Sequence, residues 1–228
     1  MVTNRLLSGI PGRERDRILN RCESVNLDFG RTLCEADQPY SHAYFPLTGF
    51  ISLIAKLDAH RPLEMGLIGS EGMLGVTLLL GVRKAPNRAV VQGAGIAWRI
   101  TAPQFARELG ECPALQRRMN RYLFVLMAQL AQTAACTHFH QIQPRLARWL
   151  LMTQDRAQAD HFHLTHELLA DMLGVRRSGI TVAAGALQQK HLIHYTRGEI
   201  TILDRTGLEA AACECYDAVT DCYSRLLG

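Results

Sequence analysis

The chain has 228 residues, 48% hydrophobic and 20% charged, with a formal net charge of +4. That balance describes a globular chain of one or two domains with a substantial core, and the charge is too mild to prove a nucleic-acid partner. The longest apolar run, Leu123 to Ala128, is far too short to span a bilayer, and the Arg-rich opening to Leu19 has no long apolar stretch of the kind a secretion signal carries. Cys22, Cys34, Cys112, Cys136, Cys213, Cys215 and Cys222 are scattered, odd in number and without a C-x-x-C pair. Such usage fits reduced thiols in a cytoplasm.

Residues 1–21 carry the pattern of a short amphipathic helical region. From Phe29 to about Arg99 short apolar runs follow one another: Ala43 to Phe45, Phe50 to Ile54, Met65 to Ile68, Ala89 to Val91 and Ile96 to Trp98. Gly or Pro separates most of them, which predicts a β-roll, barrel or sandwich. The segment Gly69 to Gly75 breaks the pattern and could start a short helix; it is no P-loop, since no Gly-Lys-Ser/Thr follows.

Pro103 opens a helical stretch and Pro113 restarts it, to about Thr137, a length of about 37 Å. Met119, Leu123, Leu126, Leu130, Thr133 and Thr137 form a heptad seam, and Phe124, Met127 and Ala131 a second apolar face. One face is expected against the β-domain and the other against a second copy, with Leu126 placed in the seam between copies. His138 to Gln143 then reads as a hinge, with Pro144 starting a helix from Arg145 to about Asp155.

The stretch Leu164 to Asp204 says most about function. Thr165 can cap a first helix, and Leu169, Ala170 and Leu173 give it one apolar face. Gly174 sits at a sharp turn that calls for positive φ. A second helix buries Val175, Ile180 and Ala183 and presents Arg176, Arg177, Ser178 and Thr181. Ile193, Tyr195, Ile200 and Ile202 alternate around Thr196-Arg197-Gly198, the signal of a hairpin. This is the outline of a winged helix-turn-helix, whose second helix offers its first residues to the major groove. From Leu173 to Gly198 there are Arg176, Arg177, Lys190 and Arg197 and no acid, a local basic patch on an otherwise balanced region. A closing helix is expected over Leu208 to Leu227.

On one continuous helix Cys215 and Cys222 share a face while Cys213 lies far round from Cys215, so these three are expected as small buried residues, with no metal. His138, His140, His161, His163 and His166 gather near the hinge, and His161 and His163 can share a strand face. Cys136 and His138, two apart on a helix, face away from each other and make no nucleophile pair. No constellation supports an enzyme.

The order of parts resembles the Crp–Fnr family of bacterial transcription regulators, on Leu164–Asp204 above all, then Tyr44 to Gly49 and Gly72-Met-Leu-Gly75. The resemblance implies an α+β fold: a cyclic-nucleotide-binding-like β-roll over residues 1–112, a long dimerisation helix and hinge over 113–139, and a winged helix-turn-helix over 140–228. It implies a sequence-specific regulator that binds an inverted-repeat operator in double-stranded DNA as a homodimer and contacts RNA polymerase, with no membrane partner. By position Arg177, Ser178 and Thr181, beside Arg176, would read bases; Thr165, His166 and Arg197 would hold phosphates. Cyclic-nucleotide binders of the family place a Glu in a Gly-Glu-Leu cassette and an Arg before Ser or Thr. Here Met73 follows Gly72 and Asn87-Arg88 precedes Ala89, so Glu71 and Arg88 each stand one residue out of register. Cyclic AMP is therefore not expected as effector, nor any cofactor. Met73, Leu74, Val76 and Leu78 leave open an apolar ligand or a collapsed pocket. The alternative reading is a ligand- or redox-sensing module in which DNA binding is secondary.

Overall fold

A computed structural model describes residues 3–56, 58 and 60–228; positions 1 and 2 of the expected N-terminal helical region lie outside them. That region is two short helices, α1 (Arg5–Ser8) and α2 (Gly12–Leu19). Asn4 caps α1 by accepting from Leu6 and Leu7 N–H, and its amide donates to the Pro46 and Gly72 carbonyls at 3.0 and 2.9 Å.

Seven strands follow: β1 (Glu23–Leu27), β2 (Thr32–Cys34), β3 (His42–Pro46), β4 (Phe50–Ala55), β5 (Leu63–Ile68), β6 (Arg88–Gly93) and β7 (Gly95–Thr101). They form two antiparallel sheets, β1-β7-β3 and β2-β6-β4-β5. All five apolar runs are strands. β1 and β2 carry no such run: β1 buries only Leu27 and β2 is half-buried throughout. The expected helix at Gly69 is instead one 3-10 turn, Val76–Leu80, bracketed by Gly75 and Gly81 at φ 94° and 72°. Phe45, Ile51, Leu53, Ile68, Met73, Leu74, Val76, Leu78, Ala89 and Val91 fill the roll.

Thr101 caps α3 (Ala102–Glu111), and Cys112 caps α4 (Pro113–Phe139), with Pro in the first turn of each, where no intrahelical N–H is needed. α4 buries Leu115, Met119, Tyr122, Val125, Leu126, Gln129, Thr133 and Cys136 within its own chain. The placement of Leu126 between copies is thus overturned, since it is 7% exposed in the core of its own roll; Phe124 and Met127, 57% and 60% exposed, form the open apolar face. The heptad could not assign the faces because Phe124 and Met127 stand one residue from Val125 and Leu126 on a helix apolar nearly all round. The expected hinge shrinks to His140 and Gln141, because α5 (Ile142–Ala157) begins earlier and takes Pro144 into its first turn.

β8 (His161–His163), α6 (His166–Leu173), α7 (Arg177–Gln189), β9 (Ile193–Thr196) and β10 (Glu199–Ile202) follow, with sheet order β8-β10-β9. The expected single closing helix is two, α8 (Arg205–Ala211) and α9 (Cys215–Leu227). Ala212 is extended, and the reversal lets α9 return along α4, where Cys222 and Leu227 join the core of the roll.

Roll, long helix and α5 meet in a buried polar seam. Glu64 on β5 accepts from Ser52 Oγ at 2.6 Å and from Trp149 Nε1 at 2.8 Å. Arg156 pairs with Glu71 at 2.8 Å, and Arg148 donates to Thr133 at 3.2 Å. Burial pushes the Glu64 carboxyl up to about 7, opposed by its two hydrogen bonds and by Arg156 and Arg148. A folded-state value above the ordinary 4.5 means that this group's stabilising share is complete below pH 4.5 and is lost as pH rises through 7. Between those limits the native protein should lose up to about 3 kcal/mol relative to Glu64→Gln, as read by urea unfolding across that range. Parallel stability curves for the two proteins would show that Glu64 does not titrate there.

Candidate nucleic-acid interface

Thr165 caps α6 as expected, its Oγ1 accepting from Leu168 N–H at 3.2 Å, and Glu167 sits in the positive first turn. Gly174 ends α6 at φ 63°, a backbone conformation that favours Gly, with only the end of the Leu63 side chain near the place of a Cβ. Arg145 Nη2 donates to the Leu173 carbonyl at 2.5 Å and satisfies one of the free carbonyls at the helix end. The turn is therefore held from α5 as well as by its own residues. Arg61, on the connection between β4 and β5, pairs with Glu167 and Asp171 of α6 at 2.8 and 2.9 Å.

α7 buries Ile180, Ala183, Ala184 and Leu187; Val175 is only half-buried. Arg176 stands at its N-cap without a side-chain cap bond, and no acid lies in the first turn. Arg176, Arg177, Ser178 and Thr181 are exposed at the positive end of the helix. That end combines free backbone donors with guanidinium and hydroxyl groups, a combination suited to phosphate and base edges.

His166 is the piece that joins the elements. Its ring stacks on Tyr195 of β9 with centroids 4.2 Å apart, and its Nδ1 lies 3.1 Å from Thr181 Oγ1 on α7. Burial, reinforced by the nearby Arg177 charge, holds its pKa below the ordinary value, so the ring is neutral at pH 7. Two residues singled out in the sequence thus bond to each other, and His166 braces α6, α7 and the wing.

β9 and β10 pair with Ile193 opposite Ile202 and Thr196 opposite Glu199. Their turn is Arg197-Gly198, at φ 49° and 86°, so both central residues take the positive φ of the tight hairpin turn that matches strand twist. Arg197 is exposed at the tip. His161 and His163 do share a strand face, where they bracket Glu199 at 2.9 and 2.7 Å and hold its carboxyl below the usual range. Sequence reasoning passed over Val182, 74% exposed on α7. Its spacing of four from Ser178 was the available signal.

Residues 144–211 match the Crp-like helix-turn-helix domain family. No curated protein matches the chain. Among solved structures, a transcriptional regulator of the crp/fnr family from Eubacterium rectale is similar, with a TM-score of 0.69 at 17% identity over 90% of this chain and 96% of that one. The c-di-GMP responsive global regulator CLP of Xanthomonas campestris has a TM-score of 0.69 at 16% identity, over 85% of this chain and 100% of that one. FixK2 of Bradyrhizobium japonicum has a TM-score of 0.70 at 14% identity, over 84% and 98%. Residues 144–211 thus match the Crp-like helix-turn-helix domain, in a chain whose α+β fold is that of solved Crp–Fnr regulators.

Proposed function

We propose that the protein is a non-catalytic, sequence-specific DNA-binding transcription regulator of the Crp–Fnr type. The observation that carries this reading is the exposed, acid-free N-terminus of α7 with Arg176, Arg177 and Ser178, braced through His166 to a wing tipped by Arg197. Arg177, Ser178 and Thr181, with Arg176, read base edges, and Val182 suits the methyl group of thymine. Thr165 and Arg197 hold phosphates; His166, expected with them, has its Nδ1 on Thr181 and its Nε2 buried, and is read instead as positioning Thr181. Residues 1–112 act as the sensor, 113–139 as the dimerisation helix and 140–228 as the DNA-binding unit. Among the described residues no helix is long and apolar enough to cross a membrane. The cytoplasm is the compartment this function requires, and RNA polymerase the partner through which it would act.

The roll is read as taking no cyclic nucleotide. Glu71 is committed to Arg156 and to Gly69 N–H, and Arg88 faces outward to Glu35 and Thr32 while Ala89 faces in. Gly72 N–H and Leu74 N–H are bonded to Gly69 and Tyr44 carbonyls, so neither is free for a phosphate. Titration calorimetry with cyclic AMP and cyclic GMP should give no heat at micromolar concentration. Micromolar binding that also raises DNA affinity would place the cassette in use.

Dimerisation is assigned to the open face of α4. Met127→Asp puts a carboxylate into that contact and should give monomers by light scattering with weak DNA binding; an unchanged dimer mass would move the interface elsewhere. A two-fold dimer sets two copies of α7 about 34 Å apart, so the operator is an inverted repeat with half-sites one helical turn apart. In gel-shift competition Arg177→Ala should weaken specific binding by about 1–3 kcal/mol and relax one base position. Arg197→Ala should weaken all sequences alike and lower the salt slope. An Arg177→Ala protein with native affinity and native base preference would be incompatible with recognition through α7.

A further inference from the structure

Where α4 ends, four potential metal ligands converge: Cys136 Sγ, His140 Nδ1 or Nε2, Cys213 Sγ and Cys215 Sγ, all within 4.8 Å of one another. The Cys136 and Cys213 sulfurs are 3.5 Å apart, and Cys215 Sγ is 3.4 Å from His140 Nδ1. Cys136 lies on the last turn of α4, and His140 is the extended C-cap whose N–H donates to the Cys136 carbonyl, which keeps the two residues together. Cys213 and Cys215 were expected to diverge on a continuous helix. The break between α8 and α9 takes Cys213 out of helical geometry and lets both sulfurs reach the same point.

From this convergence we infer that Cys136, His140, Cys213 and Cys215 form a Cys3His site for a single tetrahedral zinc ion. Zinc–sulfur bonds of about 2.3 Å at tetrahedral angles set sulfur atoms about 3.8 Å apart, close to the spacing seen here. An iron–sulfur cluster would interpose its own iron and sulfide and hold the sulfurs further apart. Packing of small buried thiols explains the burial of the three Cys, but it does not explain an imidazole nitrogen aimed among them.

The surroundings complete the site. Glu214 Oε1 lies 3.2 Å from His140 Nε2, which fixes the ring and leaves Nδ1 toward the sulfurs; a carboxylate behind a ligating His is the usual outer support of such a metal. Gln132 Nε2 points at Cys215 Sγ from 3.0 Å and can donate to a thiolate. Three thiolates and Zn²⁺ leave one net negative charge. Arg145 and Arg148, both buried, lie close enough to act on Cys136, and Arg148 Nε has no hydrogen-bond partner among the described residues. The ion would tie the end of α4 to the start of α9 beside the two-residue joint His140-Gln141.

The test uses the full-length reduced protein, stripped with a chelator and titrated with Co²⁺ and then Zn²⁺. One Co²⁺ per chain should give the visible absorption of a tetrahedral ion with thiolate-to-metal charge transfer of three-thiolate intensity, and one equivalent of Zn²⁺ should bleach it. Zinc should also protect three of the seven thiols from alkylation, identified by mass spectrometry as those at 136, 213 and 215. Glu214 is largely exposed, so Glu214→Gln leaves the fold intact and should lower zinc affinity by about 10–100-fold in competition with a chromophoric chelator. Cys213→Ser should lose the three-thiolate spectrum, whereas Cys34→Ser should keep it. An octahedral cobalt spectrum, protection of other thiols, or a native protein that carries iron with acid-labile sulfide would overturn the assignment.

Discussion

A 27-residue helix that is apolar around most of its circumference must be covered around most of it, and α4 organises the molecule through that need. Met119, Tyr122 and Leu126 take the roll, while α9 comes back from the far end of the chain to lie along the same helix. Without that return, Cys222 and Leu227 would leave the core and α4 would expose a second stripe. The break after α8 follows from this packing, because a straight closing helix could not bring its second half to α4. On the remaining side Phe124 and Met127 stay exposed.

The second constraint is the polar seam between roll and α5. Glu64, Glu71, Gln129, Arg148 and Arg156 are buried or nearly so: Glu71 and Arg156 form an ion pair, and Glu64, Gln129 and Arg148 are held by hydrogen bonds. Removing one member would strand the other, whereas apolar packing of the same volume would tolerate sliding. The seam therefore fixes one angle between the roll and the helix that begins the DNA-binding unit. Arg145 extends the same logic to the helix-turn-helix turn, since its guanidinium reaches across to the Leu173 carbonyl.

Legibility in the sequence tracked locality. Gly174, the Thr165 cap, the buried face of α7 and the Arg197-Gly198 turn are set by neighbours a few residues apart, and each was readable. The five strands with apolar runs were readable for the same reason, and the polar edge strands β1 and β2 were not. Faces of α4 were ambiguous because the pattern is apolar on two sides, and only the tertiary partner decides which side is inner. The Cys–His cluster was hidden by separation along the chain. Cys136 and His140 carry a local i, i+4 signal, but Cys213 and Cys215 lie more than seventy residues on, and their convergence depends on a helix break that α4 itself demands.

These parts together close the roll around Gly72. Gly72 has no room for a Cβ because the Tyr122 hydroxyl of α4 stands in that place and donates to the Met73 carbonyl at 3.1 Å. Asn4 holds the Gly72 carbonyl from the other side, and Tyr44 pairs with Leu74. The Gly72–Leu74 segment is thus pinned by α1, α4 and β3, and the Gly72 and Leu74 N–H groups are satisfied within the chain. A small molecule bonding to the Gly72 or Leu74 N–H would have to compete with those internal hydrogen bonds. The other end of α4 carries the second buried group of polar side chains on this helix. The cluster of Cys136 and His140 sits there, at the end of the same helix and in the joint to α5. Any ligand that favours one position of α9 against α4 biases that joint by its differential affinity for the two arrangements.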